Sequence, residues 1–407
     1  MLEPQSTALF LLFMVVFVLL IWWTVKVKHV ALRVFAACLA FVPAMLFGVA
    51  AVNKYYDYYE TWGAVVDDFT NAGVNQTPVL NDLTSQKFGK VLGSDVNESA
   101  AKQQGYTVRL ALTGKTTHIK RTVYVYLPPQ YFQPSYANYH FPVLELFNGF
   151  PGAPSDWINV LDIPSTLNAL TNDGLAKPAV LVMPDSNGSR DLMLQCQNIP
   201  HYSQDATYLA QDVPDYIAHV FRVRPPGPAW AAVGYSEGGY CAANLALLFP
   251  KAWGYAGVMS GYFIPGPDLY GQPDRYRNPF AGNRPLLRQN SPQYELPLLQ
   301  RTVPLPQFWV GAGSDNSQDV EAADQFHQIL EATQQHAPLV FAPGGGHNGF
   351  TWRYLIEPLL EWITPRVTAA GQPHPAAHRY GAVSSASPCP TCVEGHGAVS
   401  ASTTPGP

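Results

Sequence analysis

The chain has 407 residues, and its formal net charge of −5 with no basic run argues against nucleic acid as a partner. Hydrophobic residues make up 47% and charged ones 13%, so a sizeable core can form and part of the apolar excess suits a bilayer. The five cysteines, Cys38, Cys196, Cys241, Cys389 and Cys392, are too few for a disulfide scaffold, and no zinc-finger spacing is visible, so neither a metal nor another cofactor is expected.

"ALFLLFMVVFVLLIWWTV", Ala8 to Val25, is free of charge and long enough to cross a bilayer. A second uncharged stretch runs from Val34 to Val52 and contains Pro43. Lys26, Lys28 and Arg33 crowd the short connection, which places that connection in the cytoplasm and both ends of the hairpin outside. A cleavable signal peptide fits poorly, because the segment before the first span has Glu3 and no basic residue, and a second span follows. Residues 1–55 therefore read as a two-helix membrane anchor. "NKYYDYYETW" then looks interfacial, and the polar stretch within 56–105 reads as a juxtamembrane linker.

Residues 106–367 alternate short apolar runs with helical stretches. "YTVRLALTG" and "RTVYVYLPPQYF" alternate like an antiparallel pair at a sheet's start. "FPVLELFNG", "AVLVMPDS", "AWAAVGYS", "YAGVMSGYF", "LPQFWVGAGSD" and "PLVFAPGGGH" are continuous apolar strands, as in a parallel sheet covered on both faces. "TYLAQDVPDYIAHVF", "EGGYCAANLALLF", "DVEAADQFHQILEAT" and "WRYLIEPLLEWI" are helical candidates, giving an α/β layered domain. Residues 368–407 are rich in Ala, Ser, Pro and Gly and read as a disordered tail.

One motif carries chemistry. Gly234, Ser236 and Gly238 form G-x-S-x-G between an apolar run and a helical one, the strand–turn–helix context of a nucleophile elbow. A serine hydroxyl needs a base to take its proton, and the base needs an acceptor to orient it. In that chain order the base follows the serine. His347, in the glycine-rich "APGGGHNGF" after the last strand, can return over the sheet edge, whereas His327 and His336 lie within or just after a helix and His374, His378 and His396 lie in the tail. For the acid, Asp315 at a strand end in "WVGAGSDN" is preferred over Asp319 and Glu321, which lie in the following helix's first turns. The backbone N–H groups of Glu237, after the serine, and Phe150, in "NGFPG", are the candidates for an oxyanion hole.

"FPVLELFNGFPGAPSDW", "LVMPDSNGS", "TYLAQDVPDYI", "VGYSEGGYCAANLALLFP" and "APGGGHNGFTW" together resemble the putative-esterase family of α/β-hydrolases, which includes S-formylglutathione hydrolases, feruloyl esterases and secreted mycolyltransferases. The resemblance covers about residues 106 to 367. It implies an α/β-hydrolase fold, a mostly parallel central sheet with helices on both faces, here preceded by a transmembrane helical hairpin. It also implies Ser236 as nucleophile, His347 as base, Asp315 as acid and the Phe150 and Glu237 amides as the hole. Two departures stand out: Asn148 occupies a position where many relatives have His, and the mycolyltransferase branch carries its acid as a later glutamate.

In this fold Cys196, in the loop after "AVLVMPDS", would neighbour Cys241 on the helix after the elbow, and an oxidising exterior would permit a disulfide between them. The long insertion Gly266 to Leu299 is placed to shape an acyl pocket, and the tail "CPTC" has only half of a metal-site spacing. The sequence thus reads as a membrane-anchored extracytoplasmic serine esterase acting on an ester or acyl-lipid substrate. The alternatives are an acyltransferase delivering to an envelope sugar or lipid, and a catalytically idle envelope binding module.

Overall fold

The computed structural model describes residues 2–70, 80–81, 88, 98–188, 194–199, 202–265, 280, 283–299 and 304–370. The tail with its C-P-T-C motif lies outside these residues, as does most of the first half of the insertion. Strands are β1 Leu80–Asn81, β2 Tyr106–Thr113, β3 Lys120–Leu127, β4 Val143–Phe147, β5 Val180–Pro184, β6 Asn198–Ile199, β7 Ser203–Gln204, β8 Gly227–Tyr235, β9 Trp253–Met259, β10 Gln307–Gly313 and β11 Leu339–Ala342. Helices are α1 Thr7–Lys26, α2 Val30–Tyr56, α3 Trp62–Thr70, α4 Glu98–Gln104, α5 Asp156–Asn159, α6 Ile163–Asn172, α7 Val213–Val220, α8 Glu237–Leu248, α9 Arg284–Gln289, α10 Pro292–Leu299, α11 Ser317–Ala332 and α12 Gly349–Ala370.

The apolar strands form one nine-stranded sheet in the order β1-β2-β3-β5-β4-β8-β9-β10-β11. β2 and β3 pair antiparallel from Tyr106↔Leu127 to Thr113↔Lys120, and β3 meets β5 antiparallel. From β5 through β11 every pairing is parallel. Side chains alternate across the sheet, so each central strand feeds two cores. Trp230 and Ala232 of β8 join the core covered by α7, α8 and α11, while Ala231, Val233 and Tyr235 join the one covered by α6 and α12. Both faces are therefore sealed, which is why these strands are apolar almost throughout, the buried Glu145 of β4 being an exception that accepts from the Trp253 indole.

Helices α1 and α2 pack on each other through small residues: Ala36, Ala40, Pro43 and Ala50 are the buried positions of α2. Such residues let two helix backbones approach closely. Each helix, of 20 and 27 residues, is long and apolar enough to cross a membrane.

Part of the stretch read as a linker belongs to the fold. Leu80–Asn81 extends the sheet edge parallel to β2 at Leu110 and Ala111. Phe88 is buried with its ring 4.8 Å from that of Phe221. The polar composition around Phe88 hid its contribution.

Candidate active site

The site is built at the carboxyl edge of the parallel strands, where α/β sheets hold their ligands. Ser236 follows β8 with φ 55 and ψ −124, a left-handed turn that a serine adopts only under strain. Two glycines make the turn sterically feasible. A Cβ at Gly234 would run into the Gly238 carbonyl, and one at Gly238 into the carbonyl of Phe147 in β4. The Ser236 amide donates to Met259 O of β9 at 2.9 Å, pinning the elbow to its neighbour strand.

His347 arrives on the loop after β11. The Asp315 amide donates to Gly345 O at 2.9 Å, and the Thr351 hydroxyl donates to Gly346 O, so the loop is held from both sides. The imidazole Nε2 lies 2.9 Å from Ser236 Oγ and its Nδ1 lies 2.7 Å from Asp319 Oδ2. Its ring meets Trp352 edge-on at 5.5 Å, and Trp352 in turn packs against Tyr235 at 4.4 Å. A hydroxyl, an imidazole and a carboxylate thus stand in one hydrogen-bonded chain, the arrangement by which a hydroxyl can be made nucleophilic.

The expectation that Asp315 fills the carboxylate place is corrected. Asp315 is exposed, and its Oδ1 accepts from the Ser314 hydroxyl at 3.0 Å. Its backbone is what engages the His347 loop. The chain then turns, Asn316 caps α11 by accepting from the Gln318 and Asp319 amides, and the helix's first turn brings Asp319 back under the imidazole. Glu321 points elsewhere on that helix, accepting from Gln325 at 2.9 Å.

The loop after β4 runs directly against the serine, since a Cβ at Gly149 would lie 3.1 Å from Ser236 Cβ. Phe150 is the next residue on that loop, and the Glu237 amide is the first of α8, where the helix end favours negative charge. Asn148 is buried, its Nδ2 donates to Gly149 O at 2.9 Å, and its Oδ1 accepts from the Ser186 hydroxyl at 2.9 Å. Beneath the loop lies a contact that sequence reading missed. Tyr235 Oη is 3.3 Å from Asp156 Oδ2, which also accepts from the Ala153 amide at 2.9 Å, and the Gly149 backbone hydrogen-bonds the same tyrosine hydroxyl. Burial, then the nearby Asp156 carboxylate, pushes the Tyr235 hydroxyl far above the ordinary phenol range, so it stays a neutral clamp. The variable position of G-x-S-x-G gives no cue to such a role.

Cys196 and Cys241 are joined by a disulfide with Cα atoms 5.7 Å apart. The Gln195 amide donates to the buried Glu237 carboxylate at 2.7 Å, so the 194–199 loop is fastened to the elbow helix twice. Of the insertion, α9 and α10 are described; Tyr240 and Asn244 of α8 hydrogen-bond Asn290 at 2.8 and 3.1 Å. Among the described residues no His, Cys, Asp and Glu cluster suited to a metal occurs.

Residues 114–300 match the family model described as putative esterase, a span that includes Ser236 and ends before Asp319 and His347. An uncharacterized protein of Corynebacterium glutamicum is 25% identical over 350 residues, covering 82% of this chain and 76% of that protein. A diacylglycerol acyltransferase/mycolyltransferase of Mycobacterium intracellulare is 28% identical over 159 residues, which are 35% of this chain and 46% of that protein. A ferulic acid esterase of solved structure shares the fold, with a TM-score of 0.54 at 20% identity over 65% of this chain and 99% of that one.

Proposed function

We propose, for a chain that belongs to the putative-esterase family of α/β-hydrolases, a serine esterase held in a membrane with its catalytic domain on the extracytoplasmic side. Ser236 Oγ attacks the ester carbonyl while His347 Nε2 takes its proton, and Asp319 keeps the Nδ1 proton in place and stabilises the imidazolium. The amides of Phe150 and Glu237 receive the oxyanion. The tetrahedral intermediate collapses, the alcohol leaves with the imidazolium proton, and water repeats the cycle to release the acid and free the serine. The single observation that carries this reading is the Ser236–His347–Asp319 chain seated on a strained elbow.

The hairpin supports the membrane reading by length, apolarity and exposure, and Lys26, Lys28 and Arg33 support a cytoplasmic turn. The likeness to a mycolyltransferase supports a second reading, in which the acyl group passes to a sugar or lipid hydroxyl instead of water. Labelling with a fluorophosphonate tests the core of both. Wild type should label, and Ser236→Ala should neither label nor hydrolyse p-nitrophenyl butyrate, losing about 10⁴- to 10⁶-fold in turnover. Equal labelling of the two proteins would remove Ser236 from the role.

A further inference from the structure

We infer that the joint between the hairpin and the catalytic domain holds the active site down on the bilayer surface, so that the ester it takes is an amphiphile seated in that leaflet. This rests on the membrane-anchored esterase reading and specifies its substrate class. α2 ends at Tyr56, and Asp57, in a left-handed conformation, closes it by donating its amide to Asn53 O. Arg353, one turn into the helix that follows His347, grips this end. Its guanidinium donates to the Asp57 carbonyl and carboxylate, to Glu60 Oε1 at 2.8 Å and to Val160 O at 3.1 Å. The backbones touch as well, because a Cβ at Gly349 would collide with the Asp57 carbonyl.

A second line of contacts reaches the serine strand. Tyr58 and Tyr59 pack on the core that contains Tyr235 and Trp352. Burial, then the nearby Asp156 carboxylate, pushes the pKa of the Tyr58 hydroxyl up to about 12. The chain's first residues close the joint from the other helix. Trp62 donates its amide to Glu3 Oε2 at 3.2 Å and its indole N–H to Leu2 O, and Gln5 Nε2 donates to Tyr59 O at 3.2 Å. The start of α1 thus braces the segment that follows α2, while the α2 end itself meets the catalytic domain beside the His347 loop.

The scale decides the consequence. His347 precedes Gly349 by two residues, so its Cα lies within about 12 Å of Asp57. The uncharged stretch of α2 ends at Val52, and the four helical residues beyond it rise only about 6 Å, the depth of a headgroup layer. The imidazole is thus held within roughly 20 Å of the hydrocarbon boundary. A flexible linker would let the domain roam; this joint is packed, hydrogen-bonded and charged. Of the exposed side chains around it, Tyr55, Tyr56, Trp62 and Tyr354 are the aromatic types that settle at headgroup depth, and Phe350 adds an exposed apolar ring beside them.

The test uses the full chain in phosphatidylcholine nanodiscs. A fluorophore placed on Ser236 by a fluorophosphonate should transfer energy efficiently to acceptor-labelled headgroups. A fluorogenic diacylglycerol ester in the disc should be hydrolysed, and Arg353→Gln combined with Asp57→Asn should cut that rate at least tenfold while changing p-nitrophenyl butyrate turnover less than twofold. Phe350→Glu, which leaves the joint intact, should lower the ratio of lipid to soluble turnover about fivefold. Labelled, disc-bound protein with no energy transfer, or equal loss on both esters, overturns this inference alone. Absence of labelling, or failure to enter discs, overturns the anchored-esterase reading and this inference with it.

Discussion

Replacing Asp319 by Asn separates the carboxylate that faces His347 from the one that merely precedes it in the chain. When Ser236 gives up its proton, an imidazolium forms with Nδ1 2.7 Å from the Asp319 carboxylate. With charge centres about 4 Å apart and an effective dielectric near 20, the attraction is about 4 kcal/mol, or roughly three decades in rate. The His347 side chain is 34% exposed and Asp319 12%, so solvent screens part of this attraction. A second effect adds to it. An asparagine can turn its NH₂ toward Nδ1, which moves the ring proton to Nε2 and leaves nothing to accept from Ser236. Together these give an expected loss of about 10³- to 10⁴-fold in kcat on p-nitrophenyl butyrate, with KM nearly unchanged. Asp315→Asn, which keeps an oxygen to accept from Ser314 and removes only an exposed charge, should cost less than threefold. Burst titration with a fluorophosphonate would normalise both rates to active enzyme. An Asp319→Asn enzyme within tenfold of wild type, or an Asp315→Asn enzyme equally impaired, would refute the assignment.

Three further expectations follow from buried groups. Tyr235→Phe removes the hydroxyl that ties Gly149 to Asp156, and at about 1 kcal/mol for each of these two hydrogen bonds should lower kcat about thirtyfold with KM steady; a rise in KM at constant kcat would show the loop binding substrate in its ground state instead. Burial pushes the Glu145 carboxyl well up, with Trp253 only partly opposing, so the folded protein keeps a proton that the unfolded chain releases above about pH 4.3. Its contribution to stability is therefore fully present at low pH and falls as pH rises, and Glu145→Gln should raise the midpoint of thermal unfolding by at least about 2 °C more at pH 8 than at pH 4; an equal gain at both would contradict the assignment. Removing the Cys196–Cys241 bridge, which spans 45 residues, should cost about 4 kcal/mol in the chain-entropy model and lower the unfolding midpoint by about 8–16 °C; no difference between oxidised and reduced protein would deny the bridge a structural role.

What the sequence discloses here and what it conceals have a common physical basis. The sheet was legible because strands buried on both faces are apolar at almost every position, as "VLVMP" and "AWAAVGY" are and as "VLELF" is apart from the buried Glu145. The elbow was legible because Gly234 and Gly238 bracket the serine within one short motif, although the collision that demands Gly238 is with the Phe147 carbonyl of β4, far away in the chain. Asp319 was harder to rank, since its role depends on where the first turn of α11 comes round, and that is fixed by the Asn316 cap and by the stitch from the Asp315 amide to Gly345. Asp315 and Asp319 differ by one helical turn, and an unplaced helix leaves both near the strand end. The Arg353 joint was concealed for a stronger reason: its partners Asp57 and Glu60 lie 296 and 293 residues away. No local pattern records such a pairing. In the anchored esterase we propose, that long-range joint would govern which molecules meet Ser236, because a site fixed to a membrane helix encounters whatever the leaflet presents before it encounters dilute solutes. The chemistry is written locally and the access to it is not, so substrate selection in this chain is to be sought where α2 meets α12, at residues with no part in the reaction.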